Sequence, residues 1–584
     1  MRYSEIVEVY EEIEATTKRL EMTDYLVKLF KKTPKGLVDK VVYLTQGKLY
    51  PDFVGIELGI AEKLAIRAIS QAYGIKTKEA ENRFKKLGDL GLVAKELAAK
   101  KRQITLFSQP LTVEKVYQTF DKIARASGEG SVDLKLRLLS GLLADASPEE
   151  AKYIIRTITG KLRLGIADMT ILDALAIAYT GSKENRSLIE RAYNLSSDLG
   201  DVAKTLVERG LEGIKAYHVR VGRPIRMMLA QRLTEAEEIL EKLGGKAACE
   251  WKYDGERIQV HKDNNNIILF SRRLENITSQ YPDICKLVLE NLKVKEAIVE
   301  GECVAVSPET GELLPFQELM HRRRKYGIAE AVEKFPASLF LFDALYIDGE
   351  DLTQKPYSER RKRLEDIVEI KERIRLTEAL VTKDAKEVEK FFNEAIEAGC
   401  EGLILKALSG VYQAGARGWL WIKLKKSYES KMIEPIDVVI VGAFHGRGKR
   451  SGSYGALLAA VYDKERDIFT TICKVGSGFT DEDLEKLPEI LSKYKIPHIH
   501  PRVNSEMEAD AWFTPAIVIE IIGDELTLSP VHTTAYGKIR KDAGIAVRFP
   551  RFTGRWRFDK SPEDATTVKE IIDMYNAQLK RVEE

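Results

Sequence analysis

The residues best suited to covalent chemistry lie in one short stretch near the middle of the chain, residues 250–257, which read EWKYDGER. Strand-like runs flank this stretch, and side chains alternate along a strand, so Glu250 and Lys252 project to the same side. A lysine at the end of a strand, with an acid two residues before it and Arg257 five residues after it, suits covalent catalysis by an amine.

A lysine nucleophile must be neutral when it attacks. The pKa of a free lysine is about 10.4, so only about one molecule in 2,500 is neutral at pH 7. Partial burial and nearby cations lower the pKa of a lysine, and we expect both around Lys252. A surface lysine in a hairpin is the alternative interpretation of this stretch taken alone.

Two carboxylates interrupt an otherwise apolar strand at residues 298–306, which read IVEGECVAV. Glu300 and Glu302 share one face of that strand, where they are costly unless a cation or hydrogen-bond donors meet them. A pocket with a divalent metal or ribose hydroxyls would provide such partners. The alternative is an edge strand that exposes one face to solvent.

Two further strand-like segments carry candidate groups for a pocket. Phe342 lies in residues 339–347, LFLFDALYI, and could stack on a flat base or belong only to the core. Residues 401–406, EGLILK, place Glu401 and Lys406 at opposite ends of a buried strand. Both segments therefore offer side chains that a pocket around the central lysine could use.

Cations end two other strand-like segments. In residues 419–426, WLWIKLKK, side chains alternate so that Lys423 and Lys425 share one face. In a triphosphate site these lysines would supply positive charge and help to lower the pKa of Lys252. Arg272, at the end of an earlier strand, suits binding of a phosphate or a ribose.

The composition sets the frame for these motifs. A chain of 584 residues should divide into about three or four domains. The net charge of +2 implies that any nucleic-acid surface is a local basic patch. The five cysteines form no C-x-x-C pair, which argues against a zinc ribbon or a disulfide framework. Since the sequence shows no signal peptide or long apolar run, we expect a cytoplasmic protein without a membrane segment.

Residues 1–220 read as a succession of helices. Residues 147–150, SPEE, predict a helix start with Ser147 as the N-cap. The helix junction at residues 161–165, KLRLG, could grip phosphates or be a solvated loop. Residues 102–107, RQITLF, resemble a short sliding-clamp-binding peptide that would use Gln103, Leu106 and Phe107. The alternative is a connector that buries its apolar side chains locally.

The last region, residues 427–584, begins with a polar stretch that suits a hinge. Several short strands and one helix, with Thr480 as its N-cap, favour an OB-type barrel. A glycine-rich loop with three cations at residues 445–455 suits a nucleic-acid backbone, or is only solvated.

Taken in order, these segments resemble the motifs of the covalent nucleotidyltransferases. The motifs are KYDGER, SRR, VEGE, FDALY, EGLILK and WIKLKK, spread over about 175 residues and followed near the C terminus by RFDK. The pattern is most similar to ATP-dependent DNA ligases of the archaeal and eukaryotic replicative type. The resemblance implies a multidomain protein: an all-α DNA-binding domain (1–220), an α+β nucleotidyltransferase or adenylation domain (221–426) and an all-β OB-fold domain (427–584).

The resemblance also implies a role for each matching residue. Lys252 would take AMP, and Glu250 would read the adenine amino group. Arg257 and Arg272 would bind the ribose and phosphate, Glu302 the ribose or a metal, and Phe342 would stack on the adenine. Glu401 would help to bind the metal, and phosphate contacts would come from Arg417, Lys423 and Lys425. Near the C terminus, Arg557, Asp559 and Lys560 would extend over the ATP phosphates. Arg555 lies in the lead-in TGRW, which is not part of the motif, so the resemblance leaves its role open.

The implied activity is the sealing of 5′-phosphate/3′-hydroxyl nicks in duplex DNA, in replication, repair and recombination, with ATP and Mg²⁺ or Mn²⁺. The partners would be nicked DNA and the sliding clamp, and the protein would be a monomer whose last domain swings between two positions.

RNA-capping guanylyltransferases and RNA ligases share the fold, but the long helical region and the R-x-D-K ending argue against them. An NAD-dependent ligase lacks support because no four-cysteine module follows the barrel, and a catalytically dead DNA-binding scaffold would not need every motif residue.

Overall fold

The computed structural model describes residues 1–100, 109–306, 313–314, 316–320, 322, 327–425, 434–446, 453–523, 525–548 and 550–583. The clamp-like peptide with Gln103, Leu106 and Phe107 lies outside these residues, as do residues 427–433 of the expected hinge and residues 447–452 of the glycine-rich loop. The side chain of Lys425 is also outside the description, although its backbone ends a strand.

The N-terminal region is helical, as the sequence predicts. Its helices are α1 (Tyr3–Glu14), α2 (Arg19–Lys32), α3 (Val38–Thr45), α4 (Glu62–Tyr73), α5 (Thr77–Leu87), α6 (Leu90–Lys100), α7 (Val113–Arg125), α8 (Ser131–Asp145), α9 (Pro148–Ile158), α10 (Asp168–Thr180), α11 (Arg186–Ser196) and α12 (Leu199–Lys215). At the start of α9, the hydroxyl of Ser147 accepts from the Glu150 amide and the Glu150 carboxylate accepts from the Ser147 amide. This reciprocal capping satisfies two end amides, and it confirms the predicted helix start.

The middle region mixes strands with helices. Its strands are β1 (Leu229–Arg232), β2 (Ala247–Lys252), β3 (Glu256–Asp263), β4 (Asn266–Ser271), β5 (Glu296–Ala305), β6 (Ala337–Ile347), β7 (Glu350–Asp351), β8 (Ile374–Leu376), β9 (Ala379–Thr382), β10 (Gly402–Ala407) and β11 (Arg417–Lys425). Its helices are α13 (Ala236–Lys242), α14 (Pro282–Asn291), α15 (Phe316–Met320), α16 (Ile328–Lys334), α17 (Tyr357–Ile367) and α18 (Ala385–Glu397). Strand order is β1-β11-β10-β2-β9 in one sheet and β4-β3-β5-β6-β7 in the other, where β8 pairs with β6.

The chain crosses from one sheet to the other directly after Lys252. β2 belongs to the first sheet and β3 to the second, and Asp254 and Gly255 make the turn between them. A Cβ atom on Gly255 would lie 2.2 Å from the carbonyl oxygen of Cys303 on β5. Glycine is therefore required at this close approach, and it lets the lysine strand end at the junction of the two sheets.

The C-terminal region is rich in β-structure. It contains β12 (Ile436–His445), β13 (Tyr454–Asp463), β14 (Ile468–Val475), α19 (Asp481–Ser492), β15 (Lys495–Ile496), β16 (Val503–Asn504), β17 (Ala511–Phe513), β18 (Val518–Ile522), β19 (Glu525–Ser529), β20 (Gly544–Arg548), β21 (Arg551–Trp556) and α20 (Val568–Glu583). The Thr480 hydroxyl accepts from the Asp483 amide, as predicted for the N-cap of α19. Strands β12, β13 and β14 form an antiparallel meander, and β18 joins β12 to β21.

Buried side chains form cores within each region. One core joins the helices from α1 to α12, and others fill the two sheets of the middle region and the C-terminal strands. Within the described residues, no helix has the length and apolar character that a membrane crossing requires.

Candidate active site

The predicted site residues come together in one pocket of about 130 Å³. Both sheets of the middle region and the C-terminal region contribute to its walls. The predicted residues that line it are Glu250, Lys252, Arg257, Arg272, Glu302, Phe342, Glu401, Arg417, Lys423, Arg557, Asp559 and Lys560. Residues from seven separate sequence segments thus meet at a single place.

Lys252 ends β2 and points at Glu401. Its side chain is 25 % exposed, and its ammonium forms an ion pair with the Glu401 carboxylate. The backbone fixes this pair, because the Glu401 amide donates to the Lys252 carbonyl at 2.8 Å and Gly402 lies opposite Lys252 in the β2–β10 pairing. The acid that directly precedes β10 is therefore held beside the lysine at the end of β2.

Glu250, two residues earlier on the same face, is buried in a cluster of donors. Its carboxylate lies 2.5 Å from Lys406 Nζ and 3.2 Å from Arg361, and it accepts from the Tyr357 hydroxyl. Burial lowers the pKa of Lys406, and the charge of Glu250 opposes that shift. This cluster forms one end of the pocket, with a carboxylate that three donor side chains hold in place.

Aromatic rings form a wall next to this cluster. Phe342 packs edge-on against Trp421, with 6.1 Å between the ring centroids. The Arg257 guanidinium lies 5.4 Å from the Phe342 centroid and 5.3 Å from the Trp421 centroid, and it pairs with the buried Glu300 at 2.7 Å. The paired arginine gives the wall a cationic edge, which suits a flat base attached to a charged ribose phosphate.

The carboxylates of Glu302 and Glu401 face the same space. Burial raises the pKa of Glu302 to about 7, and nearby Glu401 raises it further while Lys252 and Arg257 oppose the shift. Within the described part of the chain, no three His, Cys, Asp or Glu side chains are grouped to hold a metal. The donor set fits Mg²⁺, which is usually held by one or two carboxylates and completes its coordination with waters and substrate phosphates.

The C-terminal region covers the pocket with charged groups. Arg557 donates to the Asp559 carboxylate at 3.0 and 2.9 Å, and Lys560 pairs with Asp437. Burial, together with the neighbouring Arg557, lowers the pKa of Lys560 to about 8, although Asp437 opposes the shift. Arg272 of the middle region reaches the cover and pairs with Asp564 at 3.2 Å. The three predicted C-terminal residues therefore face the lysine site from above.

The last helix adds a carboxylate to the two predicted phosphate ligands. Glu570 on α20 lies 2.6 Å from Arg417 and 3.8 Å from Lys423. Burial would raise the pKa of Glu570, but Arg417 and Lys423 hold it at about 2. An anion thus already lies between the cations that the sequence assigns to a phosphate.

A larger cleft of about 880 Å³ runs between the three regions. Arginines are frequent in its lining, which includes Arg19, Arg163, Arg186, Arg226, Arg272, Arg273, Arg417 and Arg502. Of the predicted phosphate-gripping junction, Lys161 lies 3.5 Å from the Ser492 carbonyl of the C-terminal region, and Arg163 donates to the Lys495 carbonyl. The cleft has the cations that a nucleic-acid backbone needs.

The sequence assigned no role to three residues that the structure places at the site or beside it. Lys406 carried a signal, as the last residue of EGLILK, but its buried pairing with Glu250 required the β2–β10 register. Glu570 lies on the last helix, α20, and belongs to none of the motifs. Arg555 carried a weaker signal, its place just before R-x-D-K, and it reaches Asp254 and Glu401 across the interface.

Comparison with known proteins gives matches along nearly the whole chain. Family models described as DNA ligase N terminus, ATP dependent DNA ligase domain, and ATP dependent DNA ligase C terminal region match residues 2–176, 227–425 and 450–560. The chain is 57% identical to "DNA ligase 2" of Thermofilum pendens, over 99% of this chain and 98% of that protein. It is 54% identical to a DNA ligase of Sulfophobococcus zilligii (99% and 97% covered) and 53% identical to one of Staphylothermus marinus (100% of both).

Proposed function

The chain belongs to the ATP-dependent DNA ligase family, and we propose that the Lys252 amine carries the adenylyl group in its reaction. The enzyme is a DNA ligase that seals nicks in duplex DNA with ATP. The observation that supports Lys252 most strongly is its place beside Glu401 in a pocket lined by the other motif residues.

Three displacements account for sealing. The neutral Lys252 nitrogen attacks the α-phosphorus of ATP, a P–N bond forms, the bond to the β-phosphate oxygen breaks and pyrophosphate leaves. An oxygen of the 5′-phosphate at the nick then attacks the same phosphorus, which frees the lysine and leaves AMP on the DNA. The 3′-hydroxyl attacks the 5′-phosphate, loses its proton and displaces AMP, which closes the strand.

The pocket walls support a specific placement of the nucleotide. Glu250, held by Lys406, Arg361 and Tyr357, accepts from the adenine amino group, and Phe342 covers one face of the base. Arg257 and Arg272 bind the ribose and the α-phosphate edge. Arg417 and Lys423, with Lys425 as a second contact, bind phosphate oxygens once the Glu570 side chain has turned away from them, while the C-terminal domain stays over the pocket.

A divalent ion belongs beside these phosphates. Glu302 and Glu401 would hold Mg²⁺, or Mn²⁺ in its place, and the ion would neutralise phosphate charge during each displacement. Two carboxylates facing one space favour a cation between them, because burial raises the pKa of Glu302 to about 7 even though Lys252 and Arg257 oppose the shift.

We assign the three regions as a DNA-binding domain (1–220), an adenylation domain (221–426) and an OB-type domain (427–584). The β12–β13–β14 meander, its parallel contact with β16, and a helix between β14 and the later strands support the OB-type assignment. The arginine-rich cleft between the regions is the proposed path of the nicked duplex. We also propose a monomer that works in the cytoplasm.

The C-terminal domain must serve two steps. Its Arg557, Asp559 and Lys560 face the lysine pocket, which suits adenylation, but the same cover blocks the reacting phosphorus from a DNA end. The domain therefore swings away before DNA engages.

The clamp-like peptide remains a separate prediction, which the affinity of a Phe107→Ala variant for the sliding clamp would test.

Labelling tests the proposed chemistry. The protein is incubated with α-labelled ATP or GTP, denatured and analysed for bound label. An acid-labile adenylate on Lys252 supports the proposal, a guanylate would support a capping enzyme, and no label would support a non-catalytic scaffold.

A further inference from the structure

Arg555 is a C-terminal cation that enters the adenylation site without belonging to the R-x-D-K motif. Its guanidinium pairs with Asp254, which follows Lys252 by two residues, and lies 3.2 Å from Glu401 Oε1. It also lies 3.4 Å from Glu520 of its own region. Although its side chain is only 15 % exposed and burial lowers its pKa to about 10, Arg555 stays charged at neutral pH.

The local backbone directs Arg555 across the interface. In the pairing of β18 with β21, Ile519 lies opposite Trp556 and Ile521 opposite Phe552, so residues 553–555 face Glu520 alone. Gly554 takes a φ of 88° within this irregularity, a conformation that side chains rarely adopt. Such bulges turn a strand and re-aim a side chain. Gly554 of the TGRW segment thus permits the bulge that directs Arg555 toward the middle region.

Glu401 links Arg555 to the nucleophile. One carboxylate oxygen, Oε1, faces Arg555, and the other, Oε2, forms the ion pair with Lys252. With both oxygens engaged, the carboxylate cannot rotate freely, and the lysine that it holds is oriented as well. The arginine comes from the C-terminal region, so this restraint exists only while that region covers the pocket.

We infer that Arg555 is a positioning residue for lysine adenylation. It acts through Glu401 to aim Lys252 at the α-phosphate, and it releases this restraint when the C-terminal domain leaves. The inference rests on the proposed function of Lys252 and names a regulation of that same site: domain closure completes the orientation of the nucleophile. Arg555 does not touch the nucleotide in this account, so it should affect the rate of adenylation and not the binding of ATP.

Single-turnover kinetics test the inference with the full-length enzyme. For Arg555→Gln and Arg555→Ala, we expect the rate of adenylation at saturating ATP to fall about 10- to 100-fold, as for a misplaced reacting group. The half-saturating ATP concentration should stay within about twofold of wild type, because no nucleotide contact is lost. Sealing of pre-adenylated nicked DNA should proceed at the wild-type rate. Arg555→Lys, which keeps the charge but not the fork of donors, should recover part of the rate.

Two variants serve as comparisons. Arg551→Ala removes an exposed arginine from the same strand and should leave adenylation unchanged. Gly554→Ala strains the bulge while keeping the guanidinium, and it should slow adenylation like the Arg555 variants. A double-mutant cycle should combine Arg555→Ala with Asp254→Asn. Because the two side chains pair with each other, their effects on the adenylation rate should not be additive.

The outcomes are separable. Wild-type adenylation by Arg555→Ala, or equal losses in adenylation and in sealing of pre-adenylated DNA, would overturn the positioning role. A rise in the half-saturating ATP concentration at an unchanged maximal rate would also overturn it and make Arg555 a nucleotide ligand. Label found on a residue other than Lys252 in the wild-type protein would instead overturn the proposed function, whatever the Arg555 variants do.

Discussion

Lys406 on β10 lies 2.5 Å from Glu250 on β2, and both side chains are almost fully buried, at 2 % and 3 % exposure. The pair lies beside the Phe342 and Trp421 rings, with Lys406 Nζ 4.6 and 4.4 Å from their centroids. A buried ion pair is costly to form, so its presence in the nucleotide pocket points to a recognition role for the carboxylate.

Replacing Glu250 by Gln should destabilise the protein. Lys406 would be left buried without its counter-charge, which costs about 3–5 kcal/mol in comparable sites. We expect a lower thermal midpoint and weaker discrimination of ATP from GTP in the adenylation assay. The double variant Glu250→Gln/Lys406→Met should recover much of the midpoint but not the discrimination. An unchanged midpoint in the single variant would argue against this reading of the pair.

Phe342→Ala should weaken ATP binding. Stacking of a base on an aromatic ring contributes about 1–3 kcal/mol, so the KM for ATP in adenylation should rise about 5- to 150-fold. The Phe342→Trp variant keeps a stacking surface, so its KM for ATP should stay close to the wild-type value. A KM for Phe342→Ala within twofold of the wild-type value would remove Phe342 from the base-binding wall.

His261 should make the protein sensitive to acid. Its Nδ1 accepts from the Gly222 amide at 2.9 Å, its Nε2 lies 2.8 Å from Gln259 Oε1, and burial lowers its pKa to about 3. The unfolded chain, with a histidine pKa of about 6.5, binds the proton more readily, so the native state loses stability as the pH falls from about 6.5 to 3. This one group contributes a slope of about 1.4 kcal/mol per pH unit.

Urea unfolding between pH 4 and pH 7 measures that slope. The His261→Gln variant should be less stable than wild type at pH 7. Its free energy of unfolding should fall less steeply toward acid pH, because glutamine does not titrate. His445→Gln, at an exposed position, is the matched control and should keep the wild-type slope. Equal slopes for His261→Gln and wild type would show that another group causes the acid sensitivity.

A crosslink between the middle and C-terminal regions should separate the steps of the reaction. Lys569 on α20 lies over the Trp419 ring of β11, with Nζ 4.5 Å from the centroid. Cysteines at these two positions, joined by a cleavable bismaleimide, should allow adenylation but block nick sealing, since the C-terminal domain could not move. Cleaving the linker should restore sealing. Normal sealing by the linked protein would contradict the proposed movement.

The sequence predicted which strand residues the structure brings into one pocket. The alternation of β2, β5 and β11 indicated that Lys252, Glu302 and Lys423 could face one pocket, and the family resemblance supplied the order of the segments. The helix starts at Ser147 and Thr480 were also predictable, because capping depends on residues three apart.

Contacts between regions could not be read from the sequence. Glu570 pairs with Arg417 across 153 positions, and Arg555 reaches Asp254 across 301. Such pairs depend on how three folded regions dock, and no local periodicity encodes that docking. The role of Gly554 was hidden for the same reason, because a bulge is recognised only from the register of both strands.

Peptide mapping of the adenylated protein tests the central claim most directly. After incubation with ATP and Mg²⁺ without DNA, the peptide that contains Lys252 should carry one adenylyl group, and the Lys252→Ala protein should carry none and fail to join a nicked duplex. An adenylyl group on another residue, or nick joining from ATP by the Lys252→Ala protein, would contradict the account.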